Sequence, residues 1–311
     1  MSRIWFLLFY SCLPVSLLNA QDSVLMRIEQ VEKLALDILA SDSMNGRSAY
    51  SIENRKVADF IAGYFAATGL KPFQDSGFLQ PFYGRSTDSA SVLYNVVGFL
   101  PGRSRPLEYV IVSAHMDHLP PLESNKKDRI FNGANDNASG VAVLMALAQY
   151  YAALGNNERS LVFCAFNAEE LGLWGSAYFA GKSDIKKIVA GINFDMMGVP
   201  QFGKNRLMIT GRRYSTFYEI VKKNISGQGI KLKTDSQIDL FSRSDNYSFA
   251  QLGVPAHTFS TSDDRYPCYH KPCDELKKLD IPNMARLTKV IIQGISTIVN
   301  GTDSPVRING K

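Results

Sequence analysis

The sequence predicts an α/β sandwich, a sheet covered by helices on both faces, and two observations predict it. Apolar strand-like runs alternate with stretches of helical periodicity along most of the chain. Clusters of polar and acidic residues follow those runs, where an open α/β sheet forms its sites, at the C-terminal ends of strands.

The elements follow in order. From Asp22 to Leu70 apolar residues recur at helical spacing, first in Val31, Leu34, Ala35, Ile38 and Leu39, then in Val57, Phe60, Ile61, Tyr64 and Phe65, which predicts two amphipathic helices. Beyond Pro72 the runs become strand-like: Val92 to Leu100, ended by Pro101-Gly102, and Tyr109 to Ala114. A long helix fits Gly140 to Leu154, a buried strand Leu161 to Phe166, a short helix Leu171 to Ala180, and strands Ile188 to Phe194 and Pro255 to Phe259. The helix from Ile281 to Val299 belongs to the same body, and Asp303 to Lys311 reads as a frayed tail. With no internal repeat or long linker, residues 21–311 form one domain.

At 311 residues, 45% hydrophobic and 20% charged, the chain can fill a large core and is neither disordered nor fibrous. Met-Ser-Arg, an apolar run from Ile4 to Leu18, and Asn19-Ala20-Gln21 form the three-part pattern of a secretory signal peptide over residues 1–20. The run is shorter than the roughly 20 residues of a membrane span. Export to the periplasm or the extracellular space is therefore expected. Acylation at Cys12 is the weaker reading, because bulky Phe9 and Tyr10 precede it. In such an oxidising compartment Cys164, inside a buried run, is a small hydrophobe, and Cys268 with Cys273 is the pair available for a bridge. The formal charge of +5 is scattered without a dense basic block, so nucleic-acid binding has no support.

Five clusters carry chemistry. Ala114-His115-Met116-Asp117-His118 puts an imidazole at a strand end with a carboxylate two residues on, a pattern shared by metal ligands and plain polar loops. In Asn132-Gly133-Ala134-Asn135-Asp136-Asn137-Ala138-Ser139-Gly140 the acid is either a helix cap or, with small neighbours allowing close approach, a carboxylate shared by two cations. Glu169-Glu170, directly after a buried strand, is an acidic first helical turn or a ligand beside a general base. Asp195 closes another apolar strand, and His270 lies in Tyr266-Pro267-Cys268-Tyr269-His270-Lys271-Pro272-Cys273-Asp274. Singly each is ordinary. Together His115, Asp136, Glu170, Asp195 and His270 supply two imidazoles and three carboxylates, enough for two zinc ions if one carboxylate bridges.

In order, spacing and local sequence these clusters resemble the co-catalytic dizinc aminopeptidase family of the zinc exopeptidase clan, which also includes plasma glutamate carboxypeptidase-like enzymes. The likeness runs from about Leu39 to Ile281 and takes in Leu39-Ala40-Ser41-Asp42, Gly46-Arg47, Gly69-Leu70-Lys71-Pro72, Asn95-Val96-Val97-Gly98 and Pro101-Gly102. It implies a single-domain three-layer α/β/α sandwich with a mostly parallel mixed sheet. It also implies two Zn2+: His115 and Asp195 complete one site, Glu170 and His270 the other, and Asp136 bridges them. Glu169 becomes the general base toward a water shared by the ions, Asp117 the partner that orients His115, and the bond after Asp136 a cis peptide. The implied substrate is a peptide with a free N-terminus.

Around Asp245-Asn246-Tyr247 relatives often carry His where Asn246 stands. Asp245 and Tyr247 either edge the substrate pocket or cap and pack a helix ending near Gly253. His118 recurs in relatives without being a ligand, and His257 reads as a core residue. Rival readings are a carboxypeptidase or dipeptidase of the same clan, a single-zinc glutaminyl cyclase, and a non-catalytic binding relative that has lost ligands. The intact ligand set favours the aminopeptidase.

Overall fold

The computed structural model describes residues 20–75, 77–84, 92–123, 128–235 and 240–308. Residues 1–19 of the expected leader, Cys12 among them, and the last three residues of the expected tail lie outside them. Strands β1 (Lys71–Pro72), β2 (Leu79–Tyr83), β3 (Val92–Leu100), β4 (Arg105–His115), β5 (Arg159–Phe166), β6 (Ile188–Phe194), β7 (Arg206–Ile209), β8 (Lys231–Thr234) and β9 (Ala256–Ser260) form one mixed sheet. Its order is β1-β3-β5-β4-β6-β9-β7-β8, with β2 also paired to β3. The centre, β5-β4-β6-β9, is parallel, while β3 runs antiparallel to β5 and β7 antiparallel to β9.

Alternation along the central strands divides the interior in two. Val110, Val112, Leu161, Phe163 and Ala165 face a large core under α2 (Ile28–Leu39), α3 (Ile52–Ala67), α4 (Ser139–Leu154) and α8 (Ile281–Val299). Ile111, Val162, Cys164 and Phe166 face a smaller core under α5 (Trp174–Lys182) and α7 (Asn246–Ala250). The layers are those expected. Both faces of β5 are covered, which is why it reads as a continuous apolar run. The stretch Ala134–Leu154 is long and apolar enough to cross a membrane, yet 78% of its most apolar window is buried inside the protein.

Several boundaries differ from the sequence reading. The two helices expected before Leu70 are preceded by a further one, α1 (Ala20–Met26). β4 begins at Arg105 and α5 starts only at Trp174. The expected frayed tail is tied down as far as Ile308. Buried Arg159 needs acceptors, and its Nη1 donates to the carbonyls of Ile298 and Asp303, both at 2.7 Å. Val306 N–H then donates to the Thr216 hydroxyl and Ile308 N–H to the Tyr214 carbonyl. Cys268 and Cys273 are bridged, and Cys164 is buried as a free thiol.

One buried cation fastens the loops at the C-terminal edge of the sheet. Arg47 donates from Nε to Met116 O at 2.9 Å, from Nη1 to Leu39 O and Asn132 O, and from Nη2 to Gly133 O at 2.7 Å. It joins the end of α2, the end of β4 and the loop leading into α4. Gly46 beside it has φ +77°, and a Cβ there would lie 2.3 Å from Leu119 O, so only glycine lets the chain turn Arg47 inward.

Replacing Arg47 with Met should leave several buried carbonyls without donors. We expect a loss of about 3 kcal/mol or more in urea unfolding of the whole chain, and a loss under 1 kcal/mol would remove the clamp from this account.

Between α2 and α8 a second buried polar contact sets a pH dependence. The Thr288 hydroxyl lies 2.6 Å from Glu32 Oε1 and 3.1 Å from Met284 O. Having one hydrogen, it cannot serve both, and a protonated Glu32 supplies the second bond. Burial pushes the Glu32 carboxyl up to about 8 from 4.5. Because the folded value is raised, the associated stability is full below 4.5 and is lost as pH rises through about 8. Glu32→Gln should therefore melt higher than the parent above pH 8 and no higher below pH 4.5, so parallel Tm-against-pH curves would refute this assignment.

Candidate metal centre

Four strand ends and one loop deliver the site. His115 is the last residue of β4, Glu169 and Glu170 follow β5, Asp195 follows β6, His270 lies in the loop after β9, and Asp136 occupies the loop before α4. All five expected ligands converge. Asp136 Oδ1 lies 3.4 Å from His115 Nε2, and Asp136 Oδ2 lies 3.1 Å from His270 Nε2, so one carboxylate spans both imidazoles. On the His115 side stands Asp195, with Oδ1 at 3.6 Å from Nε2. On the His270 side stands Glu170, with Oε2 at 3.2 Å from Nε2. Glu169 Oε2 lies 3.9 Å from His115 Nε2, next to the cluster. The peptide between Asp136 and Asn137 is cis.

The segments that carry the ligands are held from behind. Asp274 accepts the N–H groups of Asn135 and Asp136, Ser244 donates its hydroxyl to Asp195 Oδ2 at 2.8 Å, and the loop of His270 is closed by the Cys268–Cys273 bridge. Tyr269 stacks on the His270 ring with centroids 3.9 Å apart. Asp117 differs from expectation. The contact to His115 Nδ1 at 3.2 Å comes from the Asp117 main-chain carbonyl, with its carboxylate farther away at 3.8 Å. That carboxylate instead accepts the N–H groups of Glu169 and Glu170, so it orients the acidic pair as well as bordering His115.

The donor set fits divalent metal. Among the described residues Asp195 Oδ1 and His270 Nε2 are buried without a hydrogen-bond partner, and both face the cluster. Burial alone would lower the His115 imidazole, yet the carboxylates of Glu169, Asp136 and Asp195 hold it well above its usual value. Burial, opposed by His115 and reinforced by Asp245, Asp195 and Glu170, pushes Glu169 well above the carboxylate range. A cation at this place would satisfy the same charges, and imidazole with carboxylate is the donor chemistry of zinc.

A cleft open to solvent leads from this cluster over Met196, Met208, Thr210, Leu240 and Tyr269. Asp245, Asn246 and Tyr247 are not among its lining residues. Asn246 is internal, donating to Phe241 O and accepting from the Thr258 hydroxyl, while Tyr247 packs edge-on against Phe241. Asp245 precedes α7 and is buried, but makes no cap hydrogen bond. His257 is a core residue, as read. It is bound between the Ser215 hydroxyl and the Thr210 carbonyl, stacked on Phe217, and lowered by burial to about 4.

Sequence reasoning gave no role to Arg47, Asp274, Ser244 or His118, which support the site. Arg47 and Asp274 sat inside quoted motifs. Their partners are main-chain atoms from distant segments, which leave no trace in a sequence.

The likenesses to known proteins agree with this geometry. "Leupeptin-inactivating enzyme 1" of Streptomyces exfoliatus is 27% identical over 285 residues, covering 84% of this chain and 58% of that protein. Aminopeptidase YwaD of Bacillus subtilis is 23% identical over 69% of this chain and 46% of its own length. The chain thus spans about half the length of these curated relatives. The crystal structure of BSAP, a zinc aminopeptidase from Bacillus subtilis, superposes with a TM-score of 0.71 at 16% identity, over 89% of this chain and 96% of that one. This is a likeness of fold. Residues 95–295, from β3 through most of α8, match Peptidase family M28, and the chain belongs to that family.

Proposed function

We propose that the protein is a zinc-dependent aminopeptidase that hydrolyses the N-terminal peptide bond of peptides. The observation that carries the reading is Asp136, whose two oxygens each face one imidazole while Asp195 and Glu170 flank the outer sides. His115 and Asp195 would hold one zinc, His270 and Glu170 another, and Asp136 both. Such a pair, when bound, supplies Lewis acidity toward the scissile carbonyl and lowers the pKa of water.

The rest is done by this chain. Glu169, with Oε2 beside His115 and its carboxyl kept off the bulk solvent, takes the proton of the attacking water and returns it to the leaving amine. Asp117 fixes the Glu169 main chain from which the base projects. A free ammonium group would sit among the site carboxylates, and that placement selects the end of a peptide over an internal bond. The cleft over Met196, Met208 and Leu240 accepts the side chain of the residue removed. We also place the protein outside the cytoplasm, in the periplasm or beyond, on the pattern of residues 1–20 and on the Cys268–Cys273 bridge, which suits an oxidising compartment.

Elemental analysis of the purified protein should find close to two zinc ions per chain, and aminoacyl reporter amides should be cleaved while their N-acetylated forms are not. Cleavage of blocked substrates would remove the requirement for a free N-terminus, and release of C-terminal residues only would instead make it a carboxypeptidase of the same clan. Glu169→Gln should lower kcat by about 10²- to 10⁴-fold with zinc content unchanged. Asp136→Ala should lose metal and turnover together, and retention of both ions by that variant would end its assignment as the bridge.

A further inference from the structure

His118 stands three residues beyond His115 and turns back toward the other half of the cluster. Its ring is buried, its Nδ1 lies 2.7 Å from Glu170 Oε1, and it meets the His270 ring edge-on with centroids 5.5 Å apart. The ring has no room to leave. Phe131 packs on one edge, and Gly133 touches the other so closely that a Cβ there would come within 2.5 Å of His118 Cδ2. The backbone is pinned as well, by a bridge between His118 and Ser48.

The consequence falls on Glu170. One of its oxygens, Oε1, is taken by His118, while the other, Oε2, faces His270 Nε2 at 3.2 Å, and Asp117 accepts the Glu170 N–H. A carboxylate held at both its main chain and one oxygen has a single direction left in which to bind. We infer that His118 is a positioning residue for the Glu170–His270 cation site, donating from Nδ1 to Glu170 Oε1 so that Glu170 offers only Oε2 to a cation. The contact requires a hydrogen on Nδ1, since a carboxylate only accepts. The ring's Nε2 is buried and, among the described residues, has no hydrogen-bond partner. The inference rests on the two-cation reading given above and adds an asymmetry to it. Behind Glu170 stands a ring packed against Phe131, Gly133 and His270, whereas behind Asp195, among the described residues, stands the hydroxyl of Ser244.

The test is a stepwise zinc titration of the whole metal-stripped chain by calorimetry, repeated with cobalt(II) to read the visible spectrum of each site as it fills. His118→Phe removes the donor and keeps an aromatic ring, while His118→Asn returns an N–H close to where Nδ1 lies. Removing an outer hydrogen bond of this kind typically weakens a metal site about 10- to 100-fold. We expect His118→Phe to weaken one of the two binding steps by that factor and leave the other unchanged, which also shows that the variant is folded. His118→Asn should recover to within about threefold of the parent, with the parent's cobalt spectrum. Equal weakening of both steps, no weakening of either, or failure of Asn to recover what Phe loses would each overturn the positioning role. A parent protein that binds no second cation would instead overturn the two-cation reading itself.

Discussion

Negative charge packed into a dry corner is the constraint around which the rest of the structure is organised. The carboxylates of Asp117, Asp136, Asp245 and Asp274 are buried, and those of Glu169, Glu170 and Asp195 are nearly so, all at one end of one sheet. Taking ionised carboxylates out of water costs several kcal/mol each unless they are paired or hydrogen-bonded. Arg47 is the buried cation within reach, and the acids that act on it most are Asp136, Asp274, Asp117 and Glu170. One arginine cannot neutralise them all. The remainder of the demand is met by directed hydrogen bonds from behind and, in front, by donors left free to meet cations.

The hydrogen bonds divide the acids into two kinds. Asp117 and Asp274 spend their oxygens on main-chain N–H groups, of Glu169 and Glu170 in one case and of Asn135 and Asp136 in the other. They act as staples. Asp136, Glu170 and Asp195 keep at least one oxygen turned toward an imidazole. The staples hold the backbone that carries the ligands, and Arg47 holds the carbonyl side of the same loops. The site is thus built in two shells of opposite polarity: N–H groups are tied down by carboxylates and carbonyls by a guanidinium.

Much of this was legible beforehand because it is written in single residues at predictable places. An acid or a histidine directly after an apolar run marks a strand end, and β3, β6 and α8 were readable to the residue from their periodicity and bounding turns. What was not legible depends on pairs far apart in the chain. The Arg47 bonds go to carbonyls, and every residue has a carbonyl. The tail looked free because nothing in Asp303 to Ile308 announces a buried arginine at Arg159 waiting for acceptors. Asp117 was assigned to its sequence neighbour His115, while its carboxylate reaches across to the next strand's loop. The His118 contact to Glu170 is hidden for the same reason.

The scatter of the ligands along the chain also bears on how the protein matures. From His115 to His270 they are drawn from half its length, and the loop that supplies Asp136 is fastened both to Arg47 near the start and to Asp274 near the end. No fragment released early from the ribosome can assemble the full set. A cation that binds only the assembled set favours the folded chain by mass action, about 4 kcal/mol at a thousandfold excess over its dissociation constant. A metal ion held by the set would therefore act on the finished chain, favouring molecules that have closed the sheet over those that have not.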